Sequence, residues 1–339
     1  MSSGSLDFFV LTGFLGSGKT TLLRDFLQEA AAADTAVIVN EVGEIALDGI
    51  VLREGGDDLP MAMLSNGCVC CQIGSDLAFT IDRLITAKRG NGAQPLRRII
   101  LETSGLAKPG PVLRTLASLA EHRMRVAVVA TFDLTRGTGI AGFEEAVSQW
   151  AAAHRIVATK ADMVASSEIA DGAAAIAAIN PLAEVIATRE RISALHAGFA
   201  PLTAVQPPRE LDVPLPGAHP RIALCLARPV GKVAYPDLAA WLDNLAGALG
   251  ERLLRIKGLV GVAESGHPLL IESVGTVFSP PRALHVGTQS SFIVIIARDV
   301  ENTELELVSP TGLFKVSSWQ RPAPASHGDR RSIRAEWAE

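Results

Sequence analysis

The stretch Gly13-Phe-Leu-Gly16-Ser17-Gly18-Lys19-Thr20 constrains this chain more than any other. It satisfies the spacing G-x-x-x-x-G-K-[ST], with an apolar run at 8–11 before it and a helical pattern over 20–33 after it. Glycines at these points let the backbone bend so that successive N–H groups face one anion. The helix that follows turns its positive end toward the same point. Lys19 is then placed to reach the β- and γ-phosphates of a nucleotide, and the Thr20 hydroxyl to ligate Mg²⁺. Gly13, Gly16, Ser17, Gly18, Lys19, Thr20 and Thr21 are the candidate phosphate contacts. A chance glycine-rich turn is the bland alternative, and the correct flanks on both sides argue against it.

Two further short segments fit the same chemistry. The apolar run at 98–101 ends in Glu102-Thr-Ser-Gly105. An acid at the C-terminal end of a parallel strand beside a phosphate loop sits where Mg²⁺ and its waters are held. Gly105 can bring a backbone N–H to the γ-phosphate. Lys19, Thr20, Glu102 and Gly105 are therefore the candidate catalytic set. Another apolar run leads into Thr159-Lys160-Ala-Asp162, similar to the Asn-Lys-x-Asp signature of GTPases with Thr in place of Asn. A carboxylate at Asp162 can accept from guanine N1–H and the 2-amino group, donors that adenine does not present as a pair. Lys160 can lay its stem along the base. Read alone, the first segment is also compatible with an ordinary strand-end turn, and the second with a surface Lys/Asp turn.

The rest of the first 200 residues alternates Val- and Ile-rich runs with helical stretches. Strands are expected at 8–11, 36–39, 61–64, 98–101, 126–131, 156–158 and 184–187, with helices at 76–88 and 168–178 among those between. Such runs, without polar alternation, are buried on both faces of a mostly parallel sheet. The texture changes at 201–220, where Pro207, Pro208, Pro214, Pro216 and Pro220 crowd together. Beyond lie expected strands at 222–227, 253–263, 269–274, 283–286 and 292–297 and a helix at 235–249. The expected organisation is a P-loop α/β domain over 1–205, a linker at 206–219, a smaller α+β domain over 220–318, and a frayed tail at 319–339. The 339-residue length agrees with two domains.

Composition removes several classes. The net charge is −5, so no basic surface for nucleic acid is expected. The positive mean hydropathy, +0.28, reflects alanine rather than a span, and no apolar run is long enough to cross a bilayer. A start lacking the basic and apolar regions of a signal peptide leads us to expect a cytoplasmic protein without a membrane partner. Of four cysteines, Cys68, Cys70 and Cys71 fall within the segment Asn66-Gly67-Cys68-Val69-Cys70-Cys71, and Cys225 stands apart in an expected strand as a core residue. Clustered thiolates suit Zn²⁺ or Cu⁺, and three leave a coordination position open for a carboxylate, water or transfer partner. Inert buried thiols and a redox pair are the other readings. The loop Asn40-Glu41-Val-Gly43-Glu44-Ile-Ala-Leu-Asp48 stands at a switch position, or is a solvated acidic loop.

In order along the chain, 13–23, 40–44, Gly67-Cys-Val-Cys-Cys71, 102–107, Thr159-Lys-x-Asp162, Asn180-Pro-x-Ala183 and Arg252-Leu-Leu-Arg-Ile-Lys-Gly258 together resemble the CobW-type family of metal-handling GTPases. That family is related to the hydrogenase and urease nickel-insertion GTPases. The resemblance implies Mg²⁺-dependent hydrolysis of GTP to GDP, with slow intrinsic turnover, coupled to carriage of Zn²⁺ or Co²⁺ to a client metalloprotein. It places Cys68, Cys70, Cys71 and Glu41 on the transition metal, and Thr20 and Glu102 on Mg²⁺. A metal- or nucleotide-dependent homodimer is a further expectation. Departures are Lys108-Pro109 where many relatives have Asp-Pro, Thr159, and seven scattered histidines in place of a histidine-rich stretch. A P-loop ATPase or kinase with incidental cysteines, and a non-catalytic nucleotide-gated interaction module, are the rival classes.

Overall fold

The computed structural model describes residues 6–29, 34–40, 61–64, 73–90, 96–119, 122, 124–202, 221–285 and 291–318. Seven strands form a wholly parallel sheet in the order β3-β2-β4-β1-β5-β6-β7. They are β1 (Asp7–Thr12), β2 (Thr35–Asn40), β3 (Met61–Leu64), β4 (Arg98–Glu102), β5 (Arg125–Asp133), β6 (Arg155–Thr159) and β7 (Glu184–Ile186). The chain runs outward from β1 in both directions, which opens a crevice at the C-terminal end of β1 between β4 and β5. That switch of direction is where open parallel sheets bind ligands.

Both faces of this sheet are covered, as the unbroken apolar runs require. Phe8 and Val10 of β1 face one core, Phe9 and Leu11 the other. On the second face lie α1 (Lys19–Leu27) and α6 (Arg191–Gly198), with the Phe199 ring against both Phe9 and Phe26. The first face carries α2 (Ile73–Gly90), α3 (Pro109–Ala117), α4 (Glu144–Ala152) and α5 (Ser166–Ile179). Each fully buried side chain the size of Phe8 contributes about 1.5–3 kcal/mol. The ends of β1, β4, β5 and β6 are thus held on a rigid base.

The second sheet is antiparallel, in the order β11-β10-β9-β13-β8-β14, with β12 pairing β10. Its strands are β8 (Ile222–Pro229), β9 (Leu253–Val260), β10 (Leu269–Val274), β11 (Val277–Phe278), β12 (Arg282–Ala283), β13 (Phe292–Arg298) and β14 (Phe314–Ser318). Helix α7 (Tyr235–Leu249) covers one face with Leu238, Trp241 and Leu245, and the short α8 (Asn302–Glu306) adds Leu305. Cys225 is buried in β8, as its strand position suggests. The opposite face meets the first domain: Ile222, Leu254, Val274 and Ile296 share a core with Val147, Trp150 and Ala151 of α4.

Several expected boundaries move. The helix expected over 20–33 ends at Leu27, where its last turn tightens as Gln28 N–H bonds Asp25 C=O and Glu29 N–H bonds Phe26 C=O. The strand expected over 253–263 stops at Val260, because Val262 leaves the sheet to bridge Val233. The strand expected at 283–286 is the two-residue β12. Helices α3, α4, α6 and α8 and strands β11 and β14 complete the fold beyond the expected elements. The linker expected at 206–219, the tail at 319–339, Glu41, Glu44, Asp48, Cys68, Cys70 and Cys71 lie outside the described residues. Among the described residues, no helix is long and apolar enough to cross a membrane.

Candidate functional site

The loop between β1 and α1 is built on glycines that nothing else can replace. Gly13, Gly16 and Gly18 have φ of 148°, 70° and 90°, in the region L side chains avoid. A Cβ on Gly13 would lie 2.0 Å from Thr131 Oγ1. That close approach has a purpose, since the Thr131 hydroxyl of β5 hydrogen-bonds the Ser17 hydroxyl across 2.6 Å and pins the loop from beneath. Lys19, 8% exposed, donates to the carbonyls of Gly13 at 2.8 Å and Phe14 at 3.3 Å. Its ammonium is held inside the curve of the loop, at the helix N-terminus, where a phosphate would be met by cation and N–H groups together. Thr21 lies exposed on the first turn of α1.

The structure brings Thr20 and Glu102 together. The Thr20 hydroxyl donates to Glu102 Oε1 at 2.6 Å, and Glu102 is itself buried at the end of β4. A hydroxyl and a carboxylate side by side form a hard oxygen donor set, the type that suits Mg²⁺. Just beyond, Gly105 packs backbone to backbone on the phosphate loop. A Cβ there would stand 2.6 Å from Leu15 Cδ2 and 2.9 Å from Leu15 N. Gln149, fully buried on α4, donates through Nε2 to the carbonyls of Gly105 and Ala107, each at 3.0 Å.

The third expected segment also converges on the loop. Thr159 Oγ1, at the end of β6, approaches two carbonyls, Ser17 C=O at 2.8 Å and Phe132 C=O at 3.3 Å. Thr thus ties this segment to the phosphate loop with a single hydroxyl, which is the structural consequence of the departure from Asn. Lys160 adopts φ 58° and ion-pairs with Asp133 at 2.6 Å. Burial acts to raise the Asp133 carboxyl, but Lys160 and the Thr135 hydroxyl and N–H outweigh it and hold it below the usual carboxylate range. With Lys160 locked, Asp162 stands exposed at the rim two residues on.

Sequence reasoning missed four residues here: Thr131, Asp133, Arg136 and Gln149. Arg136 Nη1 donates to Leu15 C=O at 2.9 Å on the outer side of the phosphate loop, and its guanidinium faces Asp133 at 3.6 Å. Thr131 and Asp133 had a signal, since they end a buried strand adjacent to β1. Gln149 had none, because its partners lie 42 and 44 residues away.

The loop after Gly105 leads to the second sheet. Lys108 bonds Glu144 at the start of α4, and Arg298 of β13 bonds the same carboxylate. Arg298 first, and Lys108 second, hold Glu144 down to about 2. Farther along α4, Arg255 of β9 donates from Nη1 to Ala152 C=O at 2.7 Å and Ala153 C=O at 2.9 Å, a cation on a helix C-terminus. The segment 252–258 serves both the seam and the second sheet itself. Arg255 crosses the seam, Lys257 pairs with Glu272 on β10, and a Cβ on Gly258 would meet Phe292 O at 2.4 Å.

With this geometry in place, residues 7–187 match the CobW/HypB/UreG nucleotide-binding domain. The chain belongs to the CobW/HypB/UreG family. Residues 223–307 match the CobW C-terminal domain, which corresponds to the antiparallel sheet. The chain is similar to the zinc chaperone YjiA of Escherichia coli, 35% identical over 164 residues, 47% of this chain and 50% of that one. It is also similar to the zinc chaperone CobW of Pseudomonas aeruginosa, 41% identical over 112 residues, 31% of this chain and 28% of that one. To the zinc-regulated GTPase metalloprotein activator 1 of Schizosaccharomyces pombe it is 30% identical over 188 residues, 53% of this chain and 44% of that one. The chain therefore spans at most half the length of these relatives. The crystal structure of Zn(II)-bound YjiA GTPase from E. coli shares the CobW-type fold, with TM-score 0.64 over 91% of this chain and 99% of that one at 24% identity.

Proposed function

We propose that this chain is a GTPase that couples hydrolysis of GTP to the binding and delivery of a transition metal, zinc first, to a client metalloprotein. The observation that carries the reading is the meeting of Thr20 and Glu102 at 2.6 Å beside a loop that Gly105 touches directly. Those two side chains would hold Mg²⁺, which when bound neutralises charge on the β- and γ-phosphate oxygens. Lys19 exchanges its loop carbonyls for the same oxygens. Gly105 packs against the loop, and its N–H would report whether the γ-phosphate is present. Asp162 selects guanine by accepting two hydrogen bonds, and Lys160, held by Asp133, supports the base along its stem.

Support for the metal cargo comes from the zinc chaperone names of the relatives and from Gly67-Cys68-Val-Cys70-Cys71. Three thiolates, with Glu41 available as a carboxylate, make a site that closes around zinc and opens for transfer. Loops ordered by GTP would set its geometry, so metal and nucleotide affinities must change by the same factor. Turnover without a partner is expected to be slow.

The test is competitive equilibrium binding of GTP and ATP in the presence of Mg²⁺. GTP preference that disappears in Asp162→Asn supports the reading. ATP preference in the parent chain favours the rival ATPase and removes the role given to Asp162.

A further inference from the structure

Seven histidines lie scattered through the sequence, and among the described residues the fold brings His267 and His285 together. The rings of His267 and His285 sit with centroids 4.2 Å apart, inclined at 44°, and both residues are exposed. The cause is strand register. β10 and β12 pair Leu270 with Arg282 and Leu269 with Ala283, and Leu284 N–H bonds Pro268 C=O at 3.0 Å. One step further, His267 stands opposite His285. The 268–284 pair carries the hydrogen bond, so the histidines fall at a non-hydrogen-bonded position, where facing side chains approach most closely. The His267 segment is fixed besides: Ser265 Oγ donates to His267 C=O at 2.6 Å and accepts from His267 N–H at 3.2 Å.

We propose that His267 and His285 form a transition-metal site on the C-terminal sheet, separate from the cysteines and independent of nucleotide. Neutral imidazole is a good ligand for borderline divalent ions such as Zn²⁺. Zn–N bonds are about 2.0–2.1 Å, so at a tetrahedral angle one ion spans two nitrogens about 3.3–3.4 Å apart. Facing positions on paired strands bring both side chains within reach of one ion, each ring turning about its own side-chain bonds to aim a nitrogen at it. Two ligands leave half of a tetrahedral shell to water or to an incoming ligand, which makes the site an open, exchangeable one.

The experiment uses the full chain carrying Cys68→Ser, Cys70→Ser and Cys71→Ser, titrated with ZnCl₂ without nucleotide, with histidine ring resonances followed by NMR. The His267 and His285 rings should shift together and saturate at one equivalent, ahead of every other histidine. Partners that merely orient a ligand are worth about 10–100-fold in affinity, so loss of a ligand, in His267→Ala or His285→Ala, should weaken this zinc by about 100-fold or abolish it. Zinc binding that leaves both rings unshifted overturns the proposal, as does affinity unchanged in either variant. The ring shifts in the unsubstituted pair decide the matter even where a variant folds poorly. Because the cysteines are absent throughout, failure here leaves the cysteine reading standing, and failure of that reading leaves this site standing.

Discussion

At the phosphate loop a buried lysine, Lys19, turns to carbonyls five and six residues away in its own loop. At the seam between the sheets a buried arginine, Arg255, turns to carbonyls 102 and 103 residues away on α4. Both cations are taken out of water, which is costly unless each is hydrogen-bonded. The partners differ in what they allow. Lys19 bonds weak acceptors that a phosphate can replace, so the charge remains usable. Arg255 bonds the end of a packed helix, and burial lowers its guanidinium to about 10, still charged near neutral pH. One cation is stored for a ligand, and the other joins two parts of the fold. Buried charge alone therefore does not mark a site; the nature of its partners does.

Substitutions can break this contrast. Lys19→Ala is expected to cut kcat/KM for GTP by about 10²–10³-fold, the scale for losing one charge-stabilising donor at a reacting phosphate or acyl group. Its melting temperature should stay close to the parent's, read by calorimetry. Arg255→Met should do the reverse. Loss of two charge-assisted hydrogen bonds lowers stability by about 3 kcal/mol in urea unfolding, with GTP affinity preserved. Equal loss of nucleotide binding in both variants would erase the distinction.

Gln149→Leu lies between the two regions. It leaves the Gly105 and Ala107 carbonyls without their donor, at a cost of about 1–3 kcal/mol. Because Gly105 touches the phosphate loop, this variant should lower both stability and kcat, whereas Arg255→Met lowers stability alone. Thr159→Val removes a single hydroxyl donor from Ser17 C=O and should cost about 1 kcal/mol, measured as a shift in urea midpoint. Thr159→Asn should recover that loss.

The smallest effect concerns pH. Glu144 is held below its ordinary value of 4.5, at about 2, by Arg298 and Lys108. A depressed carboxyl stabilises the fold above its unfolded value, and that contribution is lost as pH falls from about 4.5 toward about 2. Glu144→Gln should therefore be less stable than the parent at pH 6, with the gap narrowing by pH 3 and closing below about pH 2. Partial exposure of all three side chains keeps the gap small. A gap that widens in acid would contradict the assignment.

The phosphate loop was legible because its requirements are local: glycine at positive φ, lysine and threonine at a set spacing, a strand before and a helix after. Thr20 with Glu102, and Thr159 with the loop, were legible as positions at the ends of buried strands. The clamp by Gln149 was not, since a glutamine inside an alanine-rich helix carries no mark of the carbonyls it will meet. His267 and His285 were read as scattered for the same reason. Their meeting depends on the register of a two-residue strand, and that register is set by pairings elsewhere in the sheet. The arginine, lysine and glycine at 252–258 could be picked out as a pattern, but only the fold separates their causes, the seam for Arg255 and packing within the second sheet for Lys257 and Gly258.

The most direct test of the central claim is the steady-state hydrolysis rate of GTP across a zinc titration, with ATP beside it. The account predicts GTP-selective turnover that shifts at stoichiometric zinc, with the shift lost in Cys70→Ser and retained in His285→Ala. Turnover that prefers ATP, or that is indifferent to zinc in the parent chain, would contradict it.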